Sequence, residues 1–520
     1  MQINITKKYL VFSTNTNAKN KLLSFCADGK TVYEFNIKLD YFAPDFYAYI
    51  DVSRFHGMKL ELTVKPEMEL AFEESDHMEI PDLYREPLRP QIHFSTKNGW
   101  INDPNGLLYL DGIYHMFYQH NPAGNHWDNM HWGHAVSSDL IHWEEKDIAL
   151  FLGENGNIFS GSAIIDQNNL LGLPREEEPA AVLYYTATTH PFTQRMAYST
   201  DHFKTIKEYA GNPIIPHMVG GNRDPKVVYC EERGTYIMAL YFIEDEYALL
   251  SSTNLTDWEL FQRIRFPGEA ECPDIIPIKD SNGLKKWVFM GANDRYIVGG
   301  FKDGQFAAEQ EPISLHYGNS AYAGQTFSNM PDDRVVRIVW DRWNLHAPSF
   351  CGQMGIPMEL TLEENAGKYY LCANPVKELE TLYSSRETYE ALKISEKTEQ
   401  NIPLKDAPYY MKIKGNYAEN VVLHFNIFGC DLEVDFIQNQ LILGNHKAPL
   451  SIGKNSLDMT LIIDRCSMEI FVDGGKAYLS ALEEAVVCDR NLPGLQITSN
   501  AEYCFENITL CSLHSIWNKQ

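Results

Sequence analysis

Apolar positions in this chain fall in short runs, and those runs read as strands. LLYLDGIYHMFYQH (107–120), AVLYYTAT (181–188), TYIMALYFIE (235–244), KKWVFMGAND (285–294) and VVRIVWDRW (335–343) are rich in β-branched and aromatic residues. Gly, Asp and Asn bound them, as turn chemistry requires. Convincing helical periodicity is hard to find. The pattern predicts an all-β protein.

Two recurrent signals organise the middle of the chain. One is SSDLIHW at 137–143, STDHFKT at 199–205 and SSTNLTDW at 251–258, in which hydroxyl residues, a polar turn and an apolar anchor precede the next strand. The other is NDP at 102–104, FSG at 159–161, RDP at 223–225, ECPD at 271–274 and GQTF at 324–327. Both recur at roughly 50 to 65 residues, the length of one four-stranded propeller blade. Five openings predict five blades over 86–365. The first strand of a blade lines the central channel, so the five polar motifs should converge on one pocket.

The flanks differ. After about residue 365 come alternating strands such as NVVLHFNIF, LDMTLIID and SMEIFVDGG without the blade signal, which predicts a C-terminal β-sandwich over 366–520. Residues 1–85 carry short strands (VYEFNIKL, KLELTVK) and lead into the acidic, Pro-containing EESDHMEIPDLYREPLRP, as expected of a small accessory β-domain with a linker.

Composition narrows the ligand. With 70 acidic and 44 basic residues the formal charge is -26, a field that repels nucleic acid and anionic membranes. Neutral sugars suit a surface with 29 Tyr and 9 Trp. No apolar run approaches the roughly 18 residues that span a bilayer. The ten cysteines show no zinc-type spacing. MQINITKKYLVFSTNTN lacks the apolar stretch of a signal peptide, so the expected location is the cytoplasm and the sequons at Asn4, Asn254 and Asn507 carry little weight.

Three acids stand out in the converging motifs: Asp103, Asp224 and Glu271. Taken alone, NDPNG is good turn chemistry, and Asp103 could simply cap its own turn. Convergence changes that reading. Splitting an acetal needs a proton for the leaving oxygen and negative charge opposite the developing oxocarbenium ion. Two carboxylates about 5–5.5 Å apart supply both with retention of configuration. Glu271, between Ala270 and Cys272-Pro273, has the less polar setting and is expected to hold the proton. Asp103, among turn amides, is expected to stay ionised. Glu269 is the rival acid.

WINDPNG, YQHNP, HWGHAVSSDLIHW, FSG, RDPKV, ECPD and GQMGIPMEL together resemble glycoside hydrolase family 32, the β-fructosidases: invertases, levanases and inulinases. DRCSMEIFVDGG (464–475) resembles the signature strand of that family's C-terminal sandwich, and the N-terminal region is loosely similar to a module preceding some bacterial levanases. The resemblance implies release of fructose from β-fructofuranosides (sucrose, fructo-oligosaccharides, levan- or inulin-type fructans). In it Asp103 is the nucleophile, Glu271 the acid/base, and Asp224 the residue that holds fructose hydroxyls. Asn102, Gln119, Trp127, Phe159, Ser160 and Arg223 shape the fructose pocket, with Trp127 and Phe159 as its apolar wall.

One departure concerns Ser320-Ala321-Tyr322-Ala323, which stands where the family carries an acidic residue and an aromatic before Tyr-Ala. It leaves Tyr322 near the acid/base on the leaving-group side. The other is WDRW (340–343) in place of Gly-Trp, with Trp340 and Trp343 as alternatives. No metal and no organic cofactor is expected, since two carboxylates need neither. His126, His131 and His134 match no standard ligand set and are read as blade residues. Two other functions compete: a five-bladed arabinan-type glycosidase, and a propeller that binds fructan without cutting it. Oligomeric state leaves no signature.

Overall fold

The computed structural model describes residues 1–518 except 174–178, 190, 343–346, 348, 451–455 and 483–493. The chain is built almost entirely of strands, and the helical pieces among the described residues are short 3-10 turns. Five antiparallel sheets of the middle region form five propeller blades. Their first strands are Gly99–Leu110, Ile158–Ile165, Arg223–Cys230, Asp274–Lys279 and Ala321–Thr326. Each lies beside the first strand of the next blade, and the fifth lies beside the first.

The middle strands are buried on both faces, as blade-on-blade packing demands. Ala181–Ala187 is buried at every position. The recurrent hydroxyl-turn signal has one job throughout. Asp139, Asp201 and Asn254 each accept a hydrogen bond from the Ser two residues before and from backbone amides that follow, closing the turn into the outermost strand. That is Asx-turn chemistry.

The ring closes unusually far along the chain. Phe350–Cys351, from the crossover inside the fifth blade, pairs in parallel with Gly99–Trp100 of the first. The fifth blade also extends past the expected end at 365. Met358–Asn365 and Lys368–Pro375 form its outer hairpin. Their alternating pattern resembles that of the sandwich strands, which hid the boundary.

Before the propeller, a four-stranded sheet (Gln2–Asn4, Lys59–Lys65, Lys21–Ala27, Lys30–Ile37) and a three-stranded one (Phe46–Asp51, Tyr9–Thr14, Glu73–Ser75) enclose a small apolar core. After it, a seven-stranded and a six-stranded antiparallel sheet form the sandwich. Strands there alternate, as in Tyr409–Asn416, with every second residue in the core.

A buried histidine pins sandwich to propeller. His93 Nδ1 lies 2.8 Å from Asp464 and Nε2 lies 3.1 Å from Glu469. Asp464 also accepts the amides of Gln91 and Ile92. Burial alone would favour the neutral ring, but the two carboxylates overcome it and lift His93 from 6.5 to about 10. A raised folded-state pKa means stability that is complete below the unfolded value and lost as pH rises through the folded one. Thermal unfolding should therefore shift to lower temperature between pH 6.5 and about 10. His93→Gln should flatten that slope and lower Tm at pH 6. An unchanged slope in the variant would refute this account.

Candidate active site

Four of the five channel strands break register at the motif residues. The pairing slips between Ile101 and Pro104, between Phe159 and Gly161, between Arg223 and Lys226, and between Tyr322 and Gln325. A bulge re-aims the side chain that it carries. Asp103, Ser160, Asp224 and Ala323 thus sit on kinks at the channel, and in the remaining blade Glu271 stands three residues before the strand that begins at Asp274. Asp224, Glu271 and Cys272 have φ of 65°, 55° and 33°, a left-handed backbone that is sparsely populated by side-chain-bearing residues. At Gly161 the fit is closer still, because a Cβ would lie 1.8 Å from the Tyr184 carbonyl.

Two of the three acids meet at one sulfur, and the third is the residue before it. Cys272 Sγ lies 3.5 Å from Asp103 Oδ2 and 3.5 Å from Asp224 Oδ2, and its amide donates to Asp224 at 3.0 Å. Ser160 Oγ donates to Asp103 at 2.6 Å. Arg223 joins the other two acids: Nη2 donates to Glu271 Oε1 at 2.5 Å and Nε lies 3.7 Å from Asp224. Tyr322 donates to Glu271 Oε2, and Tyr247 donates to its backbone carbonyl at 3.1 Å. Thr186 fixes the peptide, accepting from the Asp224 amide at 3.0 Å.

The remaining expected residues divide in two. Asn102 accepts from Trp100 Nε1 at 2.8 Å and is buried beside Asp103. Trp127 is exposed at the rim, and its ring meets Phe159 edge-on at 6.1 Å. Gln119 has a bracing role, donating to the Ile158 carbonyl at 2.8 Å and so tying the first blade to the second. Of the WDRW pair, Trp340 packs edge-on to Trp100 at 5.8 Å and to Tyr322 at 6.4 Å, whereas Trp343 lies outside the described residues. The channel strand of the fifth blade starts at Ala321, so Tyr322 rather than the GQTF motif meets the acids. Gln325 of that motif crosses the channel, donating to the Gly161 carbonyl at 2.9 Å.

Sequence reasoning missed Trp100, Cys272 and Arg342, whose guanidinium lies 4.5 Å from the Tyr322 ring centre. Cys272 is part of the ECPD motif, but a thiol between Glu271 and Pro273 carries no signal of its own in the sequence. Glu269, the rival acid, is set aside by geometry. Its carboxylate accepts the amides of Asn293 and Arg295 and holds the turn between two strands of its own blade.

The charges depart from expectation. Burial raises Asp103 despite the hydrogen bonds from Ser160 and Asn102, and burial lifts Asp224 to about 7 despite Arg223. Burial also opposes ionisation of Glu271, but Tyr322 and Arg223 outweigh it and hold that carboxyl below its ordinary range. In the site without substrate the raised carboxyls are thus Asp103 and Asp224 and the lowered one is Glu271, opposite in direction to the order expected from sequence. Burial raises the first two, and the hydrogen bonds from Tyr322 and Arg223 together lower the third.

A carboxyl raised in the fold binds its proton more tightly than in the unfolded chain, so it costs stability as pH rises from about 4 through about 7. That displacement is worth at most about 4 kcal/mol. Asp224→Asn should raise Tm at pH 8 and have a smaller effect at pH 5, as read by thermal melts. Equal effects at both pH values would contradict it.

Among the described residues, His93, Asp341 and Glu469 come near enough to one another to hold a cation. The carboxylates of Asp464 and Glu469 occupy both ring nitrogens of His93, which fits a hydrogen-bonded joint rather than a ligand set. His131 and His134 are buried in the first blade, bonded to Tyr33 and to His115.

Known proteins share this architecture. Residues 93–375 match the model of the glycosyl hydrolases family 32 N-terminal domain and 433–483 that of the family's C-terminal domain. A levanase of Bacillus subtilis is 30% identical over 488 residues, covering 84% of this chain and 72% of the relative. An extracellular exo-inulinase of Aspergillus awamori is 27% identical over 481 residues, covering 76% of this chain and 90% of the relative. The crystal structure of exo-inulinase from that organism superposes with a TM-score of 0.73 at 24% identity, over 84% of this chain and all of that one. A fructofuranosidase of Schwanniomyces occidentalis complexed with fructose gives 0.72 at 24% identity, with the same coverage of 84% and 100%. Five blades that gather three acids, followed by a sandwich and matched by both domain models, place this chain in glycoside hydrolase family 32.

Proposed function

We propose that this fructoside hydrolase releases terminal fructose by double displacement. One observation carries the reading: an oxygen of Asp103 and one of Asp224 lie against a single sulfur, and Glu271 is the residue before that sulfur. An Asp103 oxygen attacks the anomeric carbon of fructose while the bond to the leaving oxygen breaks and takes the Glu271 proton. Water, losing its proton to Glu271, then attacks the same carbon and frees Asp103. Asp224 accepts hydrogen bonds from fructose hydroxyls and draws charge toward the oxocarbenium ion.

Glu271 needs a proton for the first step, and its ion pair with Arg223 opposes that. Fructose hydroxyls that accept from Arg223 draw the guanidinium away and weaken the pair. Glu271 then regains basicity and can hold a proton, while Asp103, hydrogen-bonded to Ser160, acts as the charged nucleophile. The three acids titrate as one coupled set. The acid limb of kcat/KM, which reports the free enzyme, should lie above the ordinary Asp value of about 3.9. An acid limb at or below that value would remove the argument.

Enclosure supports terminal attack: Asn102, Gln119 and Ser160 are buried, and Trp100, Phe159 and Trp340 pack into one aromatic cluster beside them, a setting that suits a chain end better than a chain middle. Relatives named levanase, fructan beta-fructosidase and exo-inulinase support fructose polymers and oligomers as the substrate class, rather than arabinan. The test is product analysis on sucrose, inulin and levan in parallel. Free fructose from the first minutes is the expected result. Oligosaccharide products without fructose would overturn terminal attack.

A further inference from the structure

We infer that the N-terminal domain is part of the active site's construction, because it holds from behind the loop that presents Trp127. The loop spans 122–130, between two strands of the first blade. Its tip carries Trp127, 54% exposed at the rim of the pocket. The residues on either side of that tip are anchored on the N-terminal domain.

The central anchor completes a sheet edge. Lys30–Ile37 is an edge strand of the four-stranded N-terminal sheet, so Asn36 offers an outward N–H and C=O. Asn129 answers both. Its Oδ1 accepts from the Asn36 amide at 2.8 Å and its Nδ2 donates to the Asn36 carbonyl at 2.8 Å, as the peptide of a neighbouring strand would. Asn129 sits at φ 45°, a backbone that Asn tolerates better than most residues. Its Nδ2 also reaches Asn121 Oδ1 at 3.2 Å, and Asn121 donates to the His126 carbonyl at 2.9 Å, next to Trp127.

Three further contacts bracket the same loop. Asn36 Nδ2 donates to the Asp128 carboxylate at 3.2 Å, and Thr16 donates to Asn125 at 3.3 Å. Tyr33, also on the edge strand, is bonded to His131 Nε2 at 2.7 Å, and His131 Nδ1 lies 2.6 Å from the Asn129 carbonyl. Burial pushes His131 down to about 3. The ring is thus neutral, Nδ1 donates to the carbonyl, and Nε2 accepts from Tyr33. Contacts before, at and after the tip come from a domain that contributes no acid to the site, while the propeller adds the bonds from Asn125 to the Ala347 carbonyl at 3.3 Å and from the Met130 amide to Asn157 at 2.8 Å. Trp127 in turn meets Phe159, the neighbour of Ser160. The N-terminal domain therefore sets where the apolar wall stands, and with it the affinity for the fructoside.

The inference rests on Trp127 as part of that wall, so the experiment separates the two claims. Tyr33→Phe, Asn36→Ala and their double variant leave the propeller's own sequence intact. Each is measured in the full chain with and without Trp127→Ala, on one β-fructosyl oligosaccharide, with Tm read beside kcat and KM. Trp127→Ala alone should raise KM; no rise would sink the wall itself. The double variant removes the Tyr33–His131 bond and the bond from the Asn36 side chain to the Asp128 carboxylate. It should raise KM about three- to tenfold, the worth of about one hydrogen bond, with kcat within about twofold. That rise should vanish in the Trp127→Ala background, as coupled residues behave. If Trp127→Ala raises KM while the double variant lowers only Tm, or if its effect survives in that background, the domain is merely attached and the inference fails.

Discussion

Asp103→Asn should abolish turnover of every fructoside, good leaving group or poor, because without the carboxylate no covalent intermediate forms. The structure makes the substitution a clean one. Asp103 Oδ2 accepts from Ser160 Oγ and lies at 3.5 Å from Cys272 Sγ, contacts that an amide oxygen can also make. Since burial raises Asp103, the neutral amide should not weaken the fold, and Tm should stay level or rise. Steady-state rates on sucrose and on an aryl fructoside, with a melt on the same sample, check both halves. Near-normal activity in the variant would end the double-displacement mechanism and return NDPNG to being a turn.

Glu271→Gln should cost natural fructosides about 10²- to 10⁴-fold in kcat, the usual worth of a general acid–base group. Substrates with good leaving groups should lose far less in the first step, since their departing oxygen needs no proton, and added azide should then speed the second step. The variant removes the acid limb or base limb that Glu271 sets in the pH profile, a signature that misfolding would not give. Glu269→Gln is the control. Its carboxylate accepts two backbone amides and burial lifts it to about 7, so that variant should change Tm more than rate. Should Glu269→Gln abolish activity while Glu271→Gln is harmless, the acid has been misassigned.

How much of this was readable from the chain follows from what each feature depends on. The blade openings were legible because a bulge needs particular residues: Pro104 and Pro225 lack an amide, and Gly161 alone fits under the Tyr184 carbonyl. The hydroxyl-turn signal was legible for the same local reason. The fifth opening was placed too late, at GQTF, because Ala321-Tyr322-Ala323 carries no turn former to mark it. The family resemblance supplied roles that spacing could not, among them those of Asn102 and Arg223. The protonation order was not legible at all. It depends on whether one guanidinium reaches 48 residues along the chain to Glu271, and on a tyrosine 51 residues further on. Trp100 and Trp340 come from opposite ends of the propeller sequence and meet only when the ring is closed.

That closure has a temporal meaning. The strand bearing Asp103 is among the first of the propeller to leave the ribosome, yet its inner edge is paired by Phe350–Cys351, about 250 residues later. Four blades can assemble on local hairpins, but the last seam joins segments far apart in the chain, and such long-range pairings form slowly because loop entropy is lost before contacts compensate. Catalytic competence should therefore appear as the final event of refolding, after most strand signal has returned. A nascent chain stopped short of residue 351 would carry all three acids and still be inert. In this molecule the chemistry is written early and switched on by the circle's end.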